Sequence, residues 1–228
     1  MKILLDDWNS EVGKAIKEEF KEHEFIPLGC GEYDLTILTK WETSRDVPMD
    51  KKVIFLSALE VYGNKTILPS HVEFKPDILT DKAFHSYITE VTLEYLHNAT
   101  EIKVLILRVG ELFGGEEGII ADLVNAKKNK EVFKTNLKPS ASRDFIYIKD
   151  LLKVLRYYLE GRGDFNFKTI NVSSGKETNV IKLAEKMGVE VGFITPLHLI
   201  EWQRADLTDL EFLELKPEIN IEEWIKEG

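Results

Sequence analysis

Two runs in this chain, Lys52-Val-Ile-Phe-Leu-Ser57 and Ile102-Lys-Val-Leu-Ile-Leu107, are apolar almost without interruption. A strand with one wet face alternates apolar and polar residues, whereas a strand covered on both faces does not. These runs therefore read as central strands of a parallel sheet. Around them the sequence switches between strand and helix periods. Strands are predicted at 2–5, 24–28, 34–39, 52–57 and 103–108, and helices at 10–22, about 80–98, 119–128, 150–160 and 179–187. That order calls for an α/β fold with helices on both faces of the sheet. Thr178-Asn179 gives the last helix its own cap signal. The stretch 129–142, rich in Lys, Asn and Ser, reads as a mobile loop. Between 39 and 52 there is barely the dozen or so residues a crossover needs.

Composition narrows the function classes. The 228 residues suffice for one α/β domain and a small lobe, and 43% hydrophobic content supports a real core. A net charge of −10 argues against a nucleic-acid surface. The single cysteine, Cys30, permits no internal disulfide and suits a reducing compartment. No apolar run approaches the roughly 20 residues of a membrane span, and Met1-Lys2 leads directly into a strand. The expectation is a cytoplasmic protein with neither membrane nor nucleic-acid partner. His23, His71, His85, His97 and His198 lack metal-ligand spacing, so no metal is expected. Gly114-Gly115 with Gly118 forms a turn before a helix but lacks the lysine and hydroxyl of a phosphate loop.

The first strand runs into Asp6-Asp7-Trp8-Asn9-Ser10-Glu11-Val12-Gly13 and then an amphipathic helix bearing Val12, Ile16 and Phe20 on one face. A dinucleotide turn at this place needs three glycines, so that the backbone can approach a pyrophosphate seated on the helix N-terminus. Only Gly13 meets that need; Asp7 and Ser10 take the other two places. A carboxylate beside a phosphate costs about 4 kcal/mol per charge pair at about 4 Å and an effective dielectric of about 20. That is about a thousandfold in affinity. The turn reads as a vestige of a cofactor site.

Five segments in order resemble the extended short-chain dehydrogenase/reductase family, the NAD-dependent sugar-nucleotide epimerases and dehydratases. They are Phe55-Leu-Ser-Ala-Leu-Glu-Val-Tyr-Gly63, Leu107-Arg-Val-Gly-Glu-Leu-Phe-Gly114, Ser142-Arg-Asp-Phe-Ile-Tyr-Ile-Lys-Asp150, Thr169-Ile-Asn-Val-Ser-Ser-Gly175, and Arg204-Ala-Asp206 with Lys216-Pro217. The resemblance implies a Rossmann-like doubly wound parallel sheet with a small C-terminal substrate-binding lobe. It divides the chain into a Rossmann-like domain at 1–114 and a mainly substrate-type lobe at 115–228, with 143–175 returning to the sheet.

The resemblance also sets tests that individual residues meet or miss. The ribose-binding acid of the family falls on Gly29, and small cleft-floor residues fall on Lys40 and Trp41. The catalytic Ser/Thr falls on Ala58; Ser57 is one residue early and points to the other face of a strand. The family's Y-x-x-x-K pair lands either on Tyr87 and Val91 or on Ser86 and Glu90, and neither alignment gives tyrosine with lysine. A tyrosine without that cation has a pKa near 10 and is a poor base at neutral pH. Glu60 matches a position where related dehydratases carry an acid. Glu60, Tyr87 and Glu90 are thus the weak catalytic candidates. Arg143 and Arg204 match arginines that grip the diphosphate and nucleoside of a sugar nucleotide; ordinary pairing with Asp144 and Asp206 is the competing reading. Glu111 replaces a substrate-facing asparagine, and Asp150 is expected to cap the helix at 150–160.

The leading expectation is a degenerate family member without redox catalysis and without a bound cofactor, keeping a sugar nucleotide or related anion as ligand. One alternative is an active NAD- or NADP-dependent enzyme with a rearranged site built on Glu60, Tyr87 and Glu90. Another is a non-catalytic interaction module, acting as a homo-oligomer or as the partner of a homologous enzyme; the family often dimerises through two helices beside the sheet, and the missing crossover after residue 41 should weaken that arrangement, leaving an exposed apolar patch or a monomer.

Overall fold

The computed structural model describes residues 1–27, 30–39, 52–64, 67–164, 166–195 and 199–227. Its main sheet has six strands: β1 (Lys2–Leu5), β2 (Glu24–Ile26), β3 (Leu35–Leu38), β4 (Lys52–Ala58), β5 (Val104–Val109) and β9 (Lys168–Val172). They are ordered β2-β1-β3-β4-β5-β9, and every pairing is parallel. The expected Rossmann-like α/β architecture is present. Helices α1 (Glu11–Glu19) and α4 (Ile148–Leu159) pack on one face, with Ile16 and Phe20 meeting Ile3, Ile54, Leu107 and Leu155. On the other face α2 (Asp81–Thr100) sets Leu93 and Leu96 against Val53, Phe55, Val104 and Ile106. The strand period of two explains this division. Ile54 serves one core and Val53 and Phe55 the other, so the unbroken apolar runs fill both. Burying each such side chain contributes about 1.5–3 kcal/mol. No helix among the described residues is long and apolar enough to cross a membrane.

The second lobe has its own core. β6 (Glu111–Phe113), β8 (Ser142–Tyr147) and β10 (Glu177–Asn179) form a three-stranded sheet, and β7 (Phe133–Thr135) pairs with β11 (Val191–Phe193). α3 (Ile119–Asn129), α5 (Val180–Met187) and α7 (Ile221–Glu227) cover them, while short α6 (Thr208–Phe212) lies against β9. Phe113 stands edge-on to Trp224 at 5.6 Å between ring centroids, inside a cluster with Leu123, Phe145 and Leu183. Three expectations change. The stretch 129–142 is not a plain loop: it contains β7 and buries Phe133, Leu137 and Ala141. Of the segment 143–175, β9 alone joins the main sheet, and β8 belongs to the lobe. α4 begins at Ile148, and Asp150 does not cap it; its Oδ2 accepts from the Glu218 and Ile219 N–H groups, both at 3.1 Å, fastening the C-terminal segment. The short crossover expected between 39 and 52 falls mostly on residues outside those described.

Two buried polar assemblies hold these layers together. On the α2 face, Ser57, Arg108 and Asn171 stand side by side across β4, β5 and β9, because the register pairs Ser57 with Arg108 and Arg108 with Asn171. Glu90 closes the row from α2. Arg108 Nε and Nη2 donate to its two carboxylate oxygens at 3.1 and 2.7 Å, and the Ser57 hydroxyl donates at 2.5 Å. Arg108 Nη1 also donates to Tyr62 Oη and the Val72 carbonyl, both at 2.9 Å, and the Tyr62 hydroxyl donates to Asn171 Oδ1 at 2.7 Å. Burial lowers the Arg108 pKa, but the Glu90 carboxylate more than offsets this and holds it above the ordinary arginine value. At the seam between the sheet and the lobe, fully buried Asp144 accepts from the Ser174 N–H at 3.0 Å, the Ser174 hydroxyl at 2.8 Å, the Gly175 N–H at 3.1 Å and the Ala205 N–H at 2.8 Å. Burial raises its pKa against those four hydrogen bonds.

Arg108→Met should therefore destabilise the fold by about 3–5 kcal/mol in urea melts, because Glu90 is left charged and buried. The double variant Arg108→Met/Glu90→Leu should recover a large part of that loss; no recovery would mean the charge pair is not the cause. Asp144→Asn should cost nearly as much as Asp144→Ala, about 3 kcal/mol, since both carboxylate oxygens accept from donors and an amide group would orphan one side. A melt showing Asp144→Asn near wild type would contradict this.

Candidate ligand cleft

The chain order of the main sheet reverses at β1: β2 lies on one side of it and β3 with all later strands on the other. Crevices open at the carboxyl ends of strands at such a switch point, because the connections leave over opposite faces. Here the crevice is spanned by Asp6, whose Oδ1 accepts from the Thr39 N–H at 2.9 Å and the Thr39 hydroxyl at 2.8 Å. Beside that bridge a cleft of about 270 Å3 is lined by Ser10, Ser57, Lys82, Glu111 and Glu117, among others.

The predicted turn residues come together at the rim, bonded to one another. Ser10 is the N-cap of α1; its Oγ accepts from the Gly13 N–H at 3.1 Å and its hydroxyl donates to the Asp7 carbonyl at 2.8 Å. Gly13 is required by packing: a Cβ there would collide with the Asp7 carbonyl oxygen and lie 2.8 Å from Trp8 Cα. The Asp7 carboxyl has one oxygen enclosed at the turn. Sequence reasoning passed over Glu11. Its carboxylate accepts from the Glu116 N–H, and from the Glu117 N–H at 3.2 Å, tying the first turn of α1 to the loop before α3. The adjacent Gly115 was the available signal, since any Cβ there would strike that carboxylate.

The three catalytic candidates each have different immediate partners. Glu60 sits in the tight turn after β4, accepting from the Thr80 hydroxyl at 2.7 Å and lying 3.2 Å from Lys82 Nζ; Thr80 in turn caps α2 through the Ala83 N–H at 3.1 Å. Tyr87 packs against Leu59, Val61 and Tyr62. Glu90 lies between α2 and the sheet in its pair with Arg108. Of the two alignments for the tyrosine–lysine pair, Ser86 and Glu90 are buried toward the sheet, whereas Val91 is 45% exposed. Gly29, Lys40, Trp41 and His198 lie outside the described residues.

The arginines differ in setting. Arg143 is buried, with Nη1 on the Ser142 carbonyl at 2.8 Å and Nη2 on the Ile200 carbonyl at 3.3 Å. Burial lowers its pKa, and the charges of Glu111 and Glu60 oppose that shift. Arg204 is half-buried. The pairing of Arg204 with Asp206 is not formed. Asp206 Oδ1 instead stands 3.4 Å from His71 Nδ1 and accepts from the Thr208 N–H at 3.2 Å. No group of three or more potential metal ligands occurs among the described residues.

Residues 35–173 match the family described as the NAD dependent epimerase/dehydratase family. A Methanocaldococcus jannaschii protein named "Putative UDP-glucose 4-epimerase" is 25% identical over 198 residues, which cover 81% of this chain and 64% of that relative. The chain thus spans somewhat less than two thirds of that protein's length. Among solved structures, UDP-glucose 4-epimerase from the hyperthermophile Thermotoga maritima, with UDP-glucose, matches at a TM-score of 0.80 and 19% identity over 99% of this chain and 96% of that one. The dTDP-glucose 4,6-dehydratase of Bacillus anthracis, in complex with NAD, matches at 0.82 and 11% identity over 100% and 94%. These likenesses confirm the fold, and the match over 35–173 assigns the chain to the NAD dependent epimerase/dehydratase family.

Proposed function

We propose that this protein is a family member without ordinary redox chemistry that binds a sugar nucleotide or a related anion. The observation carrying the proposal is the bidentate Glu90–Arg108 pair, buried where the family's proton-transferring tyrosine and its lysine would have to face the sheet. With Ser86 and Glu90 at those places, no phenol there can be activated by a neighbouring ammonium. The residues at the turn also do not fit a dinucleotide pyrophosphate. The Gly13 amide is taken by Ser10, the Glu116 and Glu117 amides are taken by Glu11, and Asp7 and Glu11 add negative charge where phosphates need donors. A sugar nucleotide as ligand is supported by family membership and by Arg204, whose guanidinium enters no ion pair among the described residues. Arg143 adds positive potential from its buried seat.

A second reading concerns a second copy of the chain. Phe84, Ile88, Val91 and Tyr95 form one stripe on α2, exposed by 48, 46, 45 and 69%. Their alternating spacing of four and three is the seam of a helix packed against another helix. Antiparallel pairing about a point midway between Ile88 and Val91 sets each Phe84 against the other copy's Tyr95, and each His85 against Glu94. The surface is thus complementary to itself, as a two-fold interface requires.

Calorimetric titration tests the first reading. NADH and NADPH should show no saturable binding up to millimolar concentration, while UDP-glucose binds and Arg204→Ala weakens it about tenfold, the loss of about 1.4 kcal/mol from one charge-assisted contact. Micromolar NADH binding would overturn the loss of the cofactor site, and UDP-glucose failing to bind would remove the sugar-nucleotide ligand. For the second reading, sedimentation at increasing concentration should show a dimer that Ile88→Glu abolishes without lowering the melting temperature of the monomer. A monomer at every concentration would exclude it.

A further inference from the structure

After β11 the chain leaves the lobe and returns to the main sheet. At one end the Ile194 N–H donates to the Thr135 carbonyl at 2.9 Å. At the other the Arg204 carbonyl accepts from the Ser70 N–H at 2.7 Å, and the Ala205 N–H is held by Asp144 at 2.8 Å. Residues 199–201 run between these anchors as a strap fastened from both sides. On the sheet side, Asn64 follows the tight turn after β4 and grips the strap twice. Its Nδ2 donates to the Leu199 carbonyl and its Oδ1 accepts from the Glu201 N–H, both at 2.7 Å. On the lobe side the Glu201 carbonyl accepts from the Ser142 N–H at 2.7 Å. The Glu201 carboxylate accepts from Lys138 Nζ and, at 3.3 Å, from the Ser140 hydroxyl.

Beneath the strap lies Arg143. Leu199 points out to solvent while Ile200 is fully buried. The Ile200 carbonyl accepts from Arg143 Nη2 at 3.3 Å, and Arg143 is left only 3% exposed. Burial disfavours the charged form of this arginine, against the opposing charges of Glu111 and Glu60. A cation in that seat gains from any state that returns it to water or to an anion. Ile200 gains from the closed state, which keeps its apolar surface dry. The two demands stand at opposite ends of one equilibrium, and Asn64 adds two hydrogen bonds to the closed end. A carboxamide suits this place because it carries one acceptor oxygen and one donor nitrogen, matching one N–H and one carbonyl of the strap.

We propose that residues 199–201 act as a strap that shuts Arg143 away from dissolved ligands, with Asn64 as its clasp, so that an anion reaches this arginine only when the clasp lets go. The consequence for ligands rests on the anion-binding reading above; the closure itself does not. The affinity of the whole population is then the intrinsic affinity reduced by the fraction of open molecules, and weakening the clasp raises that fraction.

Phenylglyoxal, which modifies accessible guanidinium groups, tests the closure in the full chain, with the modified sites read by mass spectrometry. In the unaltered protein Arg162, whose side chain is 63% exposed, should react readily, and Arg143 and Arg108 slowly. Asn64→Leu is close in volume but can make neither bond. It should raise the Arg143 rate about tenfold and speed exchange of the Glu201 amide hydrogen, while Arg108 in the core stays slow. Asn64→Asp keeps the acceptor for the Glu201 N–H and loses the donor to Leu199, so its Arg143 rate should fall between the two; it decides the matter if Arg108 also reacts in Asn64→Leu, the mark of an unfolded variant. Arg143 reacting as fast as Arg162 in the unaltered protein, or no faster in the folded variants, overturns the proposal. UDP-glucose should bind Asn64→Leu about tenfold tighter than the unaltered protein; equal affinity, with Arg143 unmasked only in the variant, overturns the gating. UDP-glucose binding neither protein while Arg143 is unmasked in Asn64→Leu removes the sugar-nucleotide reading. Inorganic pyrophosphate then decides the gate: slowing the Arg143 reaction in Asn64→Leu supports it, and leaving that reaction unchanged overturns it.

Discussion

The ion pair between Glu90 and Arg108 is the constraint on which the rest of the molecule depends. Two charges taken out of water cost several kcal/mol each, and their attraction repays this only when the geometry is good and the remaining polar atoms are satisfied. Here both conditions are met. Arg108 places two donors on Glu90 and one nitrogen on both Tyr62 and the Val72 carbonyl, while Glu90 also receives the Ser57 proton. Through Tyr62 and Asn171 the network reaches the Ser70 and Asp206 carbonyls at 2.8 and 3.1 Å. One row of side chains thus joins three strands, one helix and the segments around 70 and 206. The same row decides the chemistry available above it. A lysine at position 90 would confront Arg108 with a like charge in a place water cannot reach.

Carboxylates elsewhere also serve as internal fastenings. Asp6 bridges the crevice at the switch point, Glu11 holds the loop before α3, Asp144 joins the lobe to the sheet and Asp150 anchors the C-terminal segment. Each accepts backbone N–H groups from residues far away in sequence. Backbone donors near a helix start or a tight turn are what an anionic ligand would use. In this chain some of those donors are already occupied by its own acids, and part of its excess of 40 acidic over 30 basic residues is spent in this way.

What was legible in the sequence follows the range of the interactions. The central strands and flanking helices could be read because burial on both faces leaves a continuous apolar run and helix amphipathicity leaves a 3.6-residue period; both are local. Ser10 at the start of α1 and Asn179 at the start of α5 are local caps, and both bond as caps. The lobe strands of three residues at 133–135 and 177–179 are too short to show a period. Asp150 was misread because a carboxylate in the first turn of a helix satisfies a capping rule, while its true partners lie 68 and 69 residues away. The two alignments of the tyrosine–lysine pair differ by one residue on a helix, a rotation of about 100°. Only the position of the sheet separates Glu90 from Val91.

The separation of fold from chemistry in this protein has a physical basis in where each is encoded. The apolar clusters that set the sheet and its helices draw on Ile3, Ile54, Phe55, Leu105, Leu107 and Leu155. The polar part of the cleft draws on the last residues of the strands and the first turns of the helices, where Ser10, Glu11, Glu111 and Glu117 belong to neither core, while Val109 and Leu151 line it from the core itself. Substitutions there leave the sheet standing, so a TM-score near 0.8 coexists with 11–19% identity. The exception is the Ser57–Glu90–Arg108 row, which belongs to both. Its polarity is fixed by the demand that buried charges be paired, and that demand turns the Ser57 hydroxyl inward. The orientation of the Ser57 hydroxyl is thus a consequence of folding energetics, and it persists as long as the ion pair beneath it does.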